Sequence, residues 1–258
     1  MTDGALPALL RRDRAVVLSG LAAVVVLAWA YLLFGAGIKM EMMDMGGGQM
    51  MAMPSEWTLG YGALIFIMWA VMMVAMMLPS ATTVLLLTAT LDSQERLLSA
   101  LRRTGEFAIG YLSVWLAFGL AATAAQWALD KAGLLSATMI TSDHILAGSL
   151  LLYAGVYQWS PLKRACLIHC RAPQEFLARH WERDGPFGTG LRHGLFCFGC
   201  CWMLMALLFV GGVMNLGCIA VISVAILVEK MLPRGIWTSR VIGTALIAGG
   251  AITLATPG

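Results

Sequence analysis

Charge in this chain is confined to short segments that punctuate long apolar runs, and this pattern restricts the fold more than any single motif. The runs lie near 15–37, 58–79, 105–129, 142–160, 193–213, 216–230 and 236–255. Roughly 20 apolar residues suffice for a helix to cross a bilayer. Only 12% of the 258 residues are charged, against ~25% in a soluble domain. The reading is an all-α polytopic transmembrane bundle of about seven spans, forming one integral membrane domain over 1–258. The fifth and sixth runs form one uncharged stretch, interrupted at Gly211-Gly212 and Asn215-Leu216-Gly217. They are read as a short hairpin, with one long broken helix as the alternative. Pro79-Ser80 is expected to kink the second helix or mark where it leaves the membrane.

Basic residues orient the bundle. Arg11, Arg12 and Arg14 precede the first span, and Arg96, Arg102 and Arg103 separate the second and third. Lys163, Arg164, Arg171, Arg179, Arg183 and Arg192 separate the fourth and fifth, while Lys230, Arg234 and Arg240 flank the sixth and seventh. Alternating passes leave only Lys39 and Lys131 on the other face. The N-terminus is therefore expected in the cytoplasm and the C-terminus outside, in the inner (cytoplasmic) membrane of a bacterium. The first apolar run exceeds the 7–15 residues of a signal-peptide core and is read as a retained span. The net charge of +3 is an orientation signal and implies no nucleic-acid partner.

Methionine is concentrated where it can be chemically useful. Met40, Met42, Met43, Met45, Met50, Met51 and Met53 crowd an external loop over 39–56, which also holds Gly46-Gly47-Gly48. The glycines make it read as flexible. Leucine would rest on lipid as well, without methionine's oxidation hazard. Thioethers favour soft ions such as Cu(I), over hard cations, and have no proton to lose. In the second span Met72 and Met76 lie four residues apart, with Met73 and Met77 as the adjacent stripe. Such residues stack ~6 Å apart up one helix face, giving thioether rungs, although methionine is also an ordinary core filler.

Two triplets carry the strongest signal: Cys166, His169 and Cys170, then Cys197, Cys200 and Cys201. Each places ligands at i, i+3 and i+4, hence on one helical face. The charge split puts both at the cytoplasmic, reducing side, where free thiols or metal ligation are favoured over disulfides. The spacing differs from a zinc knuckle. Cu(I) is the expected ion, with zinc as the alternative. By helical rise, Met72 to Met77 fall roughly 21–28 Å from the outer surface and Cys197 to Cys201 about 8–14 Å from the inner one. In a core ~30 Å thick the two sets can meet. Cys218 reads as a small apolar residue, His193 as a peripheral ligand at most, and Glu229-Lys230 as an inner helix end that caps or snorkels.

No phosphate-binding glycine loop or hydrolytic constellation is recognisable, so no enzymatic activity is expected. The motifs Trp69-x-x-Met72-Met73-x-x-Met76-Met77-x-Pro79, Gln158-x-x-Pro161-Leu162-Lys163 leading into Cys166-x-x-His169-Cys170-Arg171-x-Pro173, Gly199-Cys200-Cys201-Trp202-x-Leu204-Met205, Gly212-x-Met214-Asn215 and Glu229-Lys230 resemble the domain-of-unknown-function 2182 family of predicted metal-binding integral membrane proteins. The likeness covers roughly 57–235. It implies a membrane-embedded metal site, with copper the usual suspicion. The expectation is a membrane protein that captures Cu(I) and transfers it across or within the bilayer, by transport or by metallochaperone-type delivery. Its partners would be lipid, the copper ion and a membrane cuproenzyme or copper chaperone. The alternatives are a membrane thiol oxidoreductase and a structural subunit of a membrane complex.

Overall fold

The computed structural model describes residues 5–35, 41–44, 50–53, 57–89, 97–135, 139–141, 143–232 and 235–256, with side chains placed outside 5–14, the two strands and residue 97. Among the described residues the chain is helical apart from one short hairpin. Five helices are long and apolar enough to cross a membrane: α1 (Ala5–Leu33), α2 (Leu59–Thr88), α3 (Leu97–Lys131), α6 (Pro173–Ala206, continued by the single-turn α7, Leu208–Gly211) and α9 (Gly235–Ala255). The expected fourth and sixth runs form α4 (His144–Gln158) and α8 (Leu216–Met231). These have 15 and 16 residues, short of the ~20 that a spanning helix needs. Side-chain caps set where both begin. Asp143 caps α4 and Asn215 caps α8 by accepting from exposed backbone N–H groups. At the other end of α4, Ser160-Pro161 starts a new helix at once.

Two loop expectations change. The region 161–192 is helical: α5 (Pro161–Arg171) is capped by Ser160, and α6 begins at Pro173. Gly185 (φ 66°, ψ 175°) breaks α6 into two helices, with Pro186 opening the second. At that positive φ a side chain would be strained, whereas glycine is not. α2 runs through Pro79 to Thr88 as one helix. The uncharged stretch after α6 does divide, at Gly212 (φ 93°). Part of the methionine-rich segment, expected to be a flexible loop, is an antiparallel hairpin of β1 (Glu41–Asp44) and β2 (Met50–Met53), with Met43 opposite Met51 and Met42 opposite Ala52.

Small residues set the helix spacing. In α4 and α9, Gly148 faces Gly250 and Gly155 faces Gly243, so the antiparallel backbones touch where a Cβ would collide. In α3 and the second half of α6, Gly190 lies on the Phe107 carbonyl and Gly194 near Tyr111, a parallel pair of the close-packed kind that membrane helices favour. α2 and α3 run antiparallel, tied by Trp69 Nε1 donating to Gln126 Oε1 at 2.9 Å and Trp57 Nε1 to Asp130 at 2.6 Å. Large apolar side chains on the outside, including Leu27, Leu120, Tyr153, Val221 and Val241, present a surface that only lipid would solvate well.

Candidate metal centre

The second cysteine triplet points into the middle of the bundle. Cys197, Cys200 and Cys201 are buried in α6, and the fully buried methionines of α2 pack in the same core. α5 brings the first triplet against them. The Cys170 and Cys200 sulfurs lie 4.0 Å apart. With metal–sulfur bonds of ~2.3 Å, that separation corresponds to an angle of roughly 120° at a shared ion. On the other side of the triplet Cys201 Sγ is 3.9 Å from Met77 Sδ. Cys200 and Cys201 turn back to the Cys197 carbonyl at 3.0 and 2.9 Å, which links the two sulfur pairs through one residue. Cys166 packs against Gly199, where a Cβ would lie 2.6 Å from its sulfur.

The first triplet is split by its helix. Cys166 and Cys170 face the cysteine side of α6, whereas His169 turns away from those thiols. The His169 ring stacks on Phe196 at 4.3 Å and its Nδ1 pairs with the Ala165 carbonyl. Met72, Met73 and Met76 are buried in the core beside the thiols, and Met77 is the member of the stripe whose sulfur reaches one. Of the hairpin methionines, Met40 and Met45 lie outside the described residues, as do the side chains of Met42, Met43, Met50, Met51 and Met53. Among the described residues no group of three or more His, Cys, Asp or Glu closes into a ready-made metal cage. The sulfurs stand in pairs, and Met77 enters the set as a thioether.

Three residues with no soft-metal signature complete the centre. Lys230 Nζ donates to Cys197 Sγ at 2.9 Å and to Ser80 Oγ at 2.9 Å. Tyr111 Oη lies 3.1 Å from the same sulfur and 3.1 Å from the Met77 carbonyl. Glu229, the residue before Lys230, forms a buried ion pair with Lys163 at 2.7 Å. Instead of snorkelling outward, the Glu229-Lys230 pair points inward and helps hold α5, α6 and α8 together. His193 is buried among Phe107, Tyr111 and Phe176. Cys218 packs on Gly211, as its reading as a small apolar residue requires. In α5, hydrogen bonding with Cys197 and Cys200, helped by burial, pushes the Cys170 thiol well above its ordinary range. Burial, with Cys200 nearby, raises Cys166.

A family model described as "PpoB2: Copper chaperone" matches residues 66–253, a span that holds both cysteine triplets and the α2 methionines. The chain belongs to the PpoB2 copper-chaperone family. Copper handling, the coarser part of the resemblance drawn from the motifs, therefore stands, and the matched family carries the copper-chaperone description in place of the domain-of-unknown-function name. The hairpin over 41–53 falls outside the matched residues. No curated protein and no solved structure matches the chain.

Proposed function

We propose that this chain is a membrane-embedded Cu(I) carrier that receives the ion on the thioether face of α2 and passes it to the thiols of Cys201, Cys197, Cys200 and Cys170 for delivery to a partner. The carrying observation is the Met77–Cys201 sulfur pair at 3.9 Å, which joins the methionine face to the thiol cluster without a gap. Soft sulfur donors select Cu(I) over hard or borderline cations. Pairs of sulfurs suit an ion that accepts low coordination numbers, whereas a structural zinc site closes with four donors. Cys170 is on α5, outside the long spanning helices and only half-buried, so it is the thiol from which an acceptor protein takes the ion. The chain moves copper and catalyses no bond change. A membrane cuproenzyme under assembly, or a soluble copper chaperone, is the acceptor in this reading.

The test is anaerobic purification in detergent, Cu(I) loading, and transfer to a colourimetric Cu(I) chelator. The expected result is stoichiometric copper in the wild type. Met77→Leu should load more slowly while reaching similar occupancy, and Cys200→Ser should retain less copper. A wild type that holds only trace copper after loading overturns the carrier reading. One that also forms a reversible Cys170–Cys200 disulfide, from sulfurs now 4.0 Å apart, would instead support the thiol oxidoreductase alternative.

A further inference from the structure

A second polar site lies where α4 gives way to α5, against the first half of α9. It is a cavity of about 140 Å³ lined by Gln158, Trp159, Ser160, Lys163, Arg164, Ser239 and Arg240, with Pro161, Leu167 and Ile236 closing it. None of these residues is acidic. Lys163 is neutralised by Glu229 beneath it, so the uncompensated charges are the guanidiniums of Arg164 and Arg240. Arg240 is held between two indoles, 5.4 Å from the Trp159 ring and 5.2 Å from that of Trp237. A guanidinium seated over ring faces is held in place by cation–π attraction and keeps N–H groups to donate. The first turn of α5 also borders the cavity, with Ser160 as its cap, so the positive end of that helix faces the same space.

Gln158 points to a ligand. It is only 5% exposed, yet neither its Nε2 nor its Oε1 has a hydrogen-bond partner. A buried amide is normally satisfied. One that lines a cavity beside two guanidiniums and a helix N-terminus gains its missing partner by rotating its amide toward an anion there. The outward Trp159 and Trp237 rings are the side chains that settle at the boundary between lipid and water. Basic pockets between membrane helices at that depth suit phospholipid headgroups.

We infer that this cavity binds the phosphate of an anionic phospholipid through Arg164, Arg240 and Gln158. The phosphate oxygens accept from both guanidiniums and from the Gln158 amide, while the acyl chains lie along the apolar outside of α4 and α9. The inference rests on these residues alone and does not depend on the copper reading.

The experiment uses the full chain in detergent, supplied with phosphatidylglycerol or phosphatidylcholine and examined by native mass spectrometry, with inorganic phosphate as a third arm. The wild type should retain phosphatidylglycerol in preference to phosphatidylcholine. Arg164→Gln combined with Arg240→Gln should reduce that retention by roughly tenfold or more, since charge-assisted bonds are the strong ones. Gln158→Glu keeps the side-chain shape but presents an anion to an anion, and should also release the lipid. Equal melting temperatures for Gln158→Glu and the wild type in lipid-free detergent establish that its fold is intact, and Arg240→Lys, which keeps the charge, serves as the second check. Phosphatidylglycerol held equally by the wild type, the double variant and Gln158→Glu would overturn the site. Equal retention of phosphatidylcholine would also overturn it, and inorganic phosphate bound as tightly as the lipid would replace the lipid assignment with free phosphate.

Discussion

The sulfur of Cys197 sits between the Lys230 ammonium and the Tyr111 phenol, and this placement bears on how the centre would release its ion. An ammonium within hydrogen-bond distance repels a copper cation on the same sulfur. At an effective dielectric of ~20 the repulsion of two unit charges 4 Å apart is about 4 kcal/mol as an upper bound. Lys230→Met should therefore slow Cu(I) transfer to a competing chelator severalfold, while Lys230→Arg, which keeps the charge, should release at the wild-type rate. Identical release from the methionine variant would remove Lys230 from the mechanism. The thiols of α5 add a pH dependence. Because hydrogen bonding and burial hold the Cys170 proton tightly, ligation must expel it, and affinity rises with pH by up to ~tenfold per unit for each proton released. Titrations of Cu(I) between about pH 6 and 8 that show no slope would contradict ligation by Cys170. If Cys170 and Cys200 share one ion, Cys170→Ser and Cys200→Ser should each lower bound copper, and the pair should lose little more than the worse single variant. Additive losses would mean separate sites. At this scale the ligand types were legible in the sequence, because helical spacing alone aligns Cys197, Cys200 and Cys201. Tyr111 and Lys230 were not. They come from α3 and α8, and nothing local in the sequence records which helices touch. His169 shows the converse: correct spacing put it near the cysteines, but stacking on Phe196 turned it aside.

Among the elements, α5 depends most on a buried interaction. Its Lys163 and Glu229 of α8 are each about 2% exposed. Removing one partner of such a pair leaves a buried charge uncompensated, at a cost of about 3–5 kcal/mol. Glu229→Leu should markedly lower the melting temperature in detergent and detach Cys170 from Cys200. Glu229→Leu with Lys163→Met should recover much of that loss. A single variant as stable as the wild type would show that the pair is dispensable. The apolar runs located the long helices because hydropathy needs no tertiary information. Helix α4 was harder, since its cap at Asp143 and the start of α5 at Ser160-Pro161 hold it below spanning length, whereas the sixth run was short from the outset and α8 keeps that length. The region 161–192 was read as a loop because its charges hide, in α5, an amphipathic helix whose inward residues are few: Lys163, Cys166, Leu167 and Cys170. Of its prolines and glycines, Pro173 opens α6 and Gly185-Pro186 marks the break within it.

Across the whole molecule, the methionine hairpin stands just before the helix whose lower face meets the thiols. Its residues lie N-terminal to α2, and α2 then carries Met72, Met73, Met76 and Met77 through the core to Cys201. In the proposed topology, charge asymmetry sets the hairpin outside and 161–192 in the cytoplasm. In that orientation the sulfur series descends from the external face to the half-buried Cys170. Accessibility labelling of single cysteines placed in the two segments should therefore give opposite sides, and the same side for both would undo the path. Replacing Met40, Met42, Met43, Met45, Met50, Met51 and Met53 with leucine isolates the first step. Thioethers that only concentrate the ion matter when copper is scarce and lose their effect as the interior site saturates. The variant should load more slowly than the wild type at limiting external Cu(I) and match it when Cu(I) is abundant. The hairpin lies outside the family-matched residues, so the thiol cluster should keep its stoichiometry in the variant. A deficit that persists at high copper would place the hairpin methionines inside the binding centre, and equal loading at both concentrations would leave them no part in capture.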